Sequence, residues 1–116
     1  MARHRRKRDL SEYRAMWLFV MFDLPVGTPA AKKDYVRFRK LLQANGFMMV
    51  QYSIYVRYFG SEESSHSHRK RIRAGLPSGG QVRLLMVTDH QFGKMEVFHG
   101  KKRGDPEKEP EQLLLF

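Results

Sequence analysis

Ala15-Met16-Trp17-Leu18-Phe19-Val20-Met21-Phe22-Asp23 is the stretch whose reading decides the fold of this chain. Residues 15–22 are apolar without interruption and have strand length, the pattern of a β-strand covered on both faces. Such a strand belongs in the interior of a sheet, so residues 15–22 are expected to form the central one. Asp23 stands where this run leaves the core, and Leu24-Pro25 closes it.

Outward from that strand, Thr28-Pro29 reads as a helix start. Threonine is a good N-cap, and proline at the first helical position lacks only an N–H that would be unpaired anyway. The helix is expected over residues 29–45. Tyr35, Phe38, Leu41 and Leu42 recur at three- and four-residue steps, while Lys33, Arg37 and Lys40 share another face. Gly46 supplies the stop. From 48 to 58 every even position is apolar (Met48, Val50, Tyr52, Ile54, Val56, Tyr58), and the odd positions include Gln51, Ser53 and Arg57. This alternation predicts a strand with one core face and one more polar face, either continuous or broken into two by a kink near Ser53.

Residues 61–75 predict a second helix, with Glu62 and Glu63 in its first turn, basic residues crowding 69–73, and Gly75 following. Its apolar face is thin. After the loop Pro77-Ser78-Gly79-Gly80, residues 82–87 read as another largely buried strand, and 94–99 as a shorter one. Residues 100–111 have a linker composition. Leu113, Leu114, Leu115 and Phe116 then need a surface to dock on, because four bulky apolar side chains are not left in water without a partner.

Strand, helix, strand, helix, strand within about 85 residues is too short for a doubly wound sheet and too mixed for a barrel. The expected fold is an α+β, ferredoxin-like βαββαβ sandwich. Residues 1–14 read as a basic arm, 15–100 as the folded domain, and 101–116 as a linker ending in a docking strand.

A chain of 116 residues carrying 22 Lys and Arg against 12 Asp and Glu has a formal net charge of +10, which points to a polyanionic partner and first to nucleic acid. No stretch reaches the roughly 18 apolar residues that crossing a membrane requires, and no membrane partner is expected. The basic cluster Arg3, Arg5, Arg6, Lys7 and Arg8 ahead of the apolar run imitates a secretion signal. Asp9, Glu12 and Arg14 break that profile. The absence of cysteine removes disulfides, thiolate nucleophiles and most structural zinc sites, and a cytoplasmic location is expected. A small core also makes oligomerisation an expectation.

Asp23 is the leading candidate for chemistry. A carboxylate at a strand exit is rigidly aimed yet reachable, which suits a metal ligand, although an aspartate before Leu-Pro also forms a side-chain-capped turn. Magnesium takes one or two carboxylates together with water or phosphate oxygens, and no second acid in the chain stands near Asp23 in sequence. A two-fold axis beside the strand end would bring a second copy of Asp23 to the same ion. The histidines form no zinc pattern: His66 and His68 are two apart on a helix and point away from each other, while His90 and His99 are isolated. Lys33, Arg37, Arg39 and Lys40 on the first helix, Arg57 on a strand, and Arg71 on the second helix are candidates for gripping phosphates. The same residues also suit a solvated surface. Tyr52, Tyr55 and Tyr58 lack the setting of an RNA-recognition signature, so sequence-specific base reading is not expected.

The segments Met21-Phe22-Asp23-Leu24-Pro25, Tyr35-Val36-Arg37-Phe38-Arg39-Lys40-Leu41-Leu42 and Gly46-Phe47-Met48-Met49-Val50-Gln51-Tyr52-Ser53-Ile54-Tyr55 resemble CRISPR-associated protein two, most of all the versions from systems whose effector is Cas nine. Val87-Thr88-Asp89, Gln91-Phe92 and Phe98-His99-Gly100 match as well, so the resemblance covers most of residues 17–100. It implies a homodimer whose last strand crosses to the partner's sheet, giving Leu113 to Phe116 a docking place. It further implies a bridge between two dimers of the CRISPR-associated integrase, Cas one, and a basic surface for the double-stranded DNA to be inserted as a spacer. Members of that family are also described as nucleases on RNA or DNA that need magnesium or manganese, with the aspartate after the first strand as ligand. Asp23 matches that aspartate, and Arg37 matches a basic position on the first helix. Phe22 departs from the pattern, since many relatives carry tyrosine there. Two functional classes follow, a metal-dependent phosphodiesterase and a scaffold for another protein's chemistry. A free-standing, toxin-like ribonuclease of the same fold is the alternative.

Overall fold

β1, Met16–Asp23, runs between two antiparallel neighbours, β3 (Ile54–Phe59) and β4 (Gln81–Thr88), with β2 (Met48–Gln51) beyond β3. The sheet order is β2-β3-β1-β4, so the long apolar run is an interior strand as expected. This computed structural model describes residues 14–110. Apart from Arg14, the expected basic arm lies outside the described residues, as do Leu113, Leu114, Leu115 and Phe116.

Two helices, α1 (Pro29–Ala44) and α2 (Glu62–Ala74), pack on one face of the sheet, and with the strand order they give the ferredoxin-like βαββαβ arrangement. Their caps follow from the sequence. Thr28 accepts a hydrogen bond from the Ala31 N–H at 3.1 Å, and Ser61 accepts one from the Ser64 N–H at 3.2 Å. Each cap of this kind contributes about 1 kcal/mol. Asn45 caps the C-terminus of α1.

Leu18, Val20 and Phe22 on β1 meet Phe38 and Leu42 of α1 and Ile72 of α2 in the main core. Fully burying each of these side chains stabilises the fold by roughly 1.5–3 kcal/mol. Ile72 is the only buried apolar residue on α2, in keeping with its thin apolar face. A smaller cluster on the other face joins Trp17, Val56 and Phe92, with Phe19, Tyr58 and Met95 packed against it.

Several sequence expectations change in three dimensions. The 48–58 segment is two strands, joined at Tyr52-Ser53 with Ser53 at φ 63°, and the register shifts between Met49 and Gln51. In β3 the buried residues facing the helices are the odd-numbered Tyr55 and Phe59, while Val56 is buried on the opposite face. Because β3 is interior and both its faces are covered, a single core stripe does not describe it. β4 is not largely buried: Gln81, Arg83 and Leu85 are exposed, because it is an edge strand whose helix-free face is open. Residues 89–93 form a short helix, α3 (Asp89–Gly93), started by a capping box in which Thr88 and Gln91 bond each other's backbone N–H. The expected 94–99 strand is consequently only β5 (Val97–His99). It pairs with β6 (Lys102–Gly104), so part of the expected linker is a hairpin turning at Gly100, φ 65°.

Candidate functional site

Asp23 ends β1 with its side chain exposed, opposite Gln81 of β4. Two contacts fix the chain on either side of it. The Phe22 N–H donates to the Ser53 carbonyl at 3.1 Å, tying the strand end to the β2–β3 turn. Gly80, at φ +78°, packs so closely that a Cβ there would collide with the Asp23 carbonyl oxygen and lie 3.0 Å from the Leu24 Cα. Only glycine supplies both the conformation and the space.

A shallow cavity of about 310 Å³ opens beside Asp23, lined by Met21, Phe22, Tyr52, Ser53, Gln81 and Arg83 among others. Tyr52 also shares a side-chain hydrogen bond with Tyr35, and this bond is the main reason the Tyr35 phenol lies above its ordinary pKa, with burial adding to it. The Phe22 ring packs edge-on to Tyr35, with ring centres 6.1 Å apart. Helical spacing assigns Tyr35 only a core role, and Tyr52 and Arg83 go unnoticed in the sequence as neighbours of Asp23. Nothing in their spacing shows that a hairpin tip and an edge strand converge on one strand end.

Asp23 is the one carboxylate lining this cavity, and no group of three or more His, Cys, Asp or Glu side chains suited to a metal occurs among the described residues. One carboxylate per chain is the least that a magnesium ion uses alongside waters and phosphate oxygens. The donor set fits such an ion when a second copy brings its own Asp23, and fits it weakly in one chain alone.

The basic candidates separate into two groups. Lys33, Arg37 and Lys40 stand together on α1 with Lys32, around the exposed Val36, and line an open groove of about 490 Å³. Arg37 leans 3.4 Å from Asp34, an exposed pair. Arg39 points elsewhere, its guanidinium carbon 5.8 Å from the Tyr35 ring centre. Arg57 and Arg71, far apart in sequence, meet at the C-terminal cap of α1. Arg57 donates to the Asn45 carbonyl at 2.6 Å, and Arg71 reaches the Asn45 side-chain oxygen at 3.5 Å. His68 completes this group, with Nδ1 2.9 Å from Asn45 Oδ1. Its spacing from His66 speaks only against a zinc pair, and the packing of α2 on β3 is what reveals its place here.

Comparison with known proteins agrees with this architecture. Residues 16–95 match the family model described as CRISPR associated protein Cas2. A CRISPR-associated endoribonuclease Cas2 from Parvibaculum lavamentivorans is 50% identical over 101 residues, covering 87% of this chain and 100% of that protein. The protein of the same name from Flavobacterium psychrophilum is 46% identical over 107 residues, 92% of this chain and 93% of its own. A more distant one from Streptococcus mutans is 33% identical over 87 residues, 75% of this chain and 80% of its own. With the family model spanning the whole sandwich from β1 past α3, and relatives of this identity matched over nearly their full length, the chain belongs to the CRISPR-associated Cas2 family.

Proposed function

We propose that the protein acts in CRISPR adaptation as a homodimer that binds double-stranded DNA and bridges dimers of the CRISPR-associated integrase. The observation that carries this reading is the two-sidedness of the sheet. One face is roofed by α1 and α2, whose outer surface presents Lys33, Arg37 and Lys40. The other face leaves Phe19, Met21 and Ile54 half-buried and Leu85 49% exposed. A second copy placed against that apolar face turns both helical layers outward. The assembly then carries a basic surface on each side, suited to the phosphates of a duplex without reading its bases. The lack of a base-reading motif supports a scaffold more than a sequence-specific binder.

A second reading, cleavage of RNA or DNA, is favoured by the fixed and exposed position of Asp23 and by the word endoribonuclease in its relatives' names. Asp23 shares a face of β1 with Met21, so a dimer through this face draws two Asp23 carboxylates toward the axis. Magnesium or manganese held there supplies a Lewis acid and an activated water. Asp23 would then act by holding the ion, while the Phe22 and Gly80 contacts keep the strand end that carries it in place. A free-standing ribonuclease would need this site without any integrase.

The test is reconstitution of spacer insertion with purified integrase, with and without this protein. Insertion that depends on the protein, and that persists in Asp23→Ala, supports the scaffold. Insertion proceeding equally without it would overturn that role. Metal-dependent RNA cleavage with no effect on insertion would favour the free-standing ribonuclease.

A further inference from the structure

We propose that Arg57, His68 and Arg71, gathered around the C-terminal cap of α1, form a subsite for one phosphate group of a nucleic-acid strand. The assignment of nucleic acid as the source rests on the functional reading above, whereas the anion site rests on the geometry that follows.

Arg57 projects from β3 toward the helices, and its guanidinium carbon lies 4.6 Å from the ring centre of the buried Phe59. Gly46, with no side chain and φ +79°, leaves room beside it, since a Cβ there would lie 3.4 Å from the guanidinium. The His68 ring packs against the same Phe59 at 5.4 Å. Arg57 Nη1 is 3.0 Å from His68 Nδ1 and 2.9 Å from Nε2. Arginine has only donors, so it needs a lone pair on the imidazole. In the tautomer whose Nδ1–H donates to Asn45 Oδ1, 2.9 Å away, that lone pair is on Nε2. A cavity of about 550 Å³ opens onto Arg57 and His68, with Lys108 on its wall.

Among the described residues, no carboxylate lies within ion-pair distance of Arg57, His68 or Arg71. The nearest negative character is the C-terminal end of α1, equivalent to roughly half an electron charge. Two guanidinium groups outweigh it, and the cluster keeps a net positive charge. Burial first, and then Arg57 and Arg71, hold the His68 pKa below its usual range; burial and Arg71 lower that of Arg57. Burial is the larger cause of both shifts, and the neighbouring guanidinium charges, which no carboxylate offsets among the described residues, add to it. A tetrahedral oxyanion offsets these charges. It offers oxygens to Arg57 and to Arg71, and when His68 takes up a proton at Nε2 the ring exchanges its contact with Arg57 for one with the anion and becomes a third donor.

This makes anion binding proton-linked. The groups facing His68 are Arg57 from β3, Arg71 on its own helix and the Asn45 amide from α1. A bound dianion raises the His68 pKa, so affinity increases as pH falls through the histidine range. Sulfate is the suitable probe, because its own charge is constant there.

The experiment is an NMR titration of the full chain with sulfate, following the Arg57 Nε–H and His68 ring signals, at about pH 6 and about pH 8. We expect saturable shifts at both residues, with binding roughly three- to tenfold tighter at the lower pH. His68→Gln should abolish that pH dependence, and the exposed Arg71→Gln should weaken binding without disturbing the core. Arg57→Lys, which loses the fork, should weaken it further. Acetate at equal ionic strength should shift the same signals far less. Non-saturable shifts, a pH dependence surviving in His68→Gln, or acetate binding as well as sulfate would each overturn the subsite. Competition of sulfate by a 5′-phosphorylated oligonucleotide, but not by its unphosphorylated form, would assign the subsite to a strand end; equal competition by both would assign it to backbone phosphates. Salt-sensitive duplex binding in a protein that takes no sulfate here would overturn the subsite and leave the nucleic-acid reading standing. Sulfate bound here with no duplex binding would support the subsite and defeat that reading.

Discussion

The indole N–H of Trp17 donates to Asp89 Oδ1 at 2.7 Å, joining β1 to the start of α3 across 72 positions of the chain. Trp17 is 1% exposed and stacks on Phe92 with ring centres 4.0 Å apart, so the bond is made in a place that water does not reach freely. Asp89→Ala should leave that N–H unpaired and cost about 1–3 kcal/mol in urea unfolding. A loss within about 0.5 kcal/mol would show that the stacking, not the bond, holds α3 in place.

Gly80→Ala is expected to act on Asp23 from a distance in sequence. The added Cβ meets the Asp23 carbonyl at a backbone conformation that alanine resists, a strain of roughly 1–3 kcal/mol. The variant should be less stable and should shift the amide signals of Asp23 and Leu24. Unchanged signals there would show that the Gly80 loop does not position the carboxylate.

Asp23→Ala should abolish any magnesium- or manganese-dependent cleavage of RNA or DNA. Removing the ion's ligand deletes several kcal/mol of transition-state stabilisation, which corresponds to a rate loss of more than about a hundredfold. Sedimentation and salt-sensitive DNA binding should be unaltered. Cleavage at the original rate in this variant would place the activity elsewhere.

Leu85→Asp tests the dimer. Leu85 is 49% exposed on the open sheet face, so the charge costs the monomer little but would be buried between two copies. Self-association measured by sedimentation should weaken by at least about tenfold. An unchanged dimer would move the interface to another surface.

Tyr58 should ionise well above the ordinary tyrosine range. Burial, reinforced by Glu109 and Asp89, pushes its pKa up to about 12. A phenol is neutral when protonated, and a folded-state value above the unfolded one of about 10 means the folded chain binds this proton more tightly. Its contribution to stability is therefore complete below about pH 10 and is lost as pH rises toward about 12. Tyr58→Phe should flatten that part of the stability profile and remove a step near pH 12 from the phenolate absorbance titration.

Replacing Lys33, Arg37 and Lys40 together with glutamine should lower duplex affinity on all sequences alike. The slope of log K against log salt should fall by about one for each phosphate that is no longer neutralised. A slope equal to that of the parent chain would show that these three side chains do not face the DNA.

Much of this protein was legible in its residues because the informative signals are local. An apolar run from 15 to 22 has one stable place, the inside of a sheet, and β1 lies there between β3 and β4. Thr28-Pro29 and Ser61 start helices by satisfying N–H groups only a few residues away. Asp23 at a strand exit was visible for the same reason. Tertiary structure alone decided which face of β3 meets the helices, because a register shift in β2 and cover on both sides hide the parity that alternation reports. It also decided that Arg57, His68, Arg71 and Asn45 converge, since residues on β3, α2 and the end of α1 become neighbours only when both helices pack on the sheet. Local signals record how each segment satisfies its own backbone and its own apolar face; contacts between segments depend on packing that no single segment encodes.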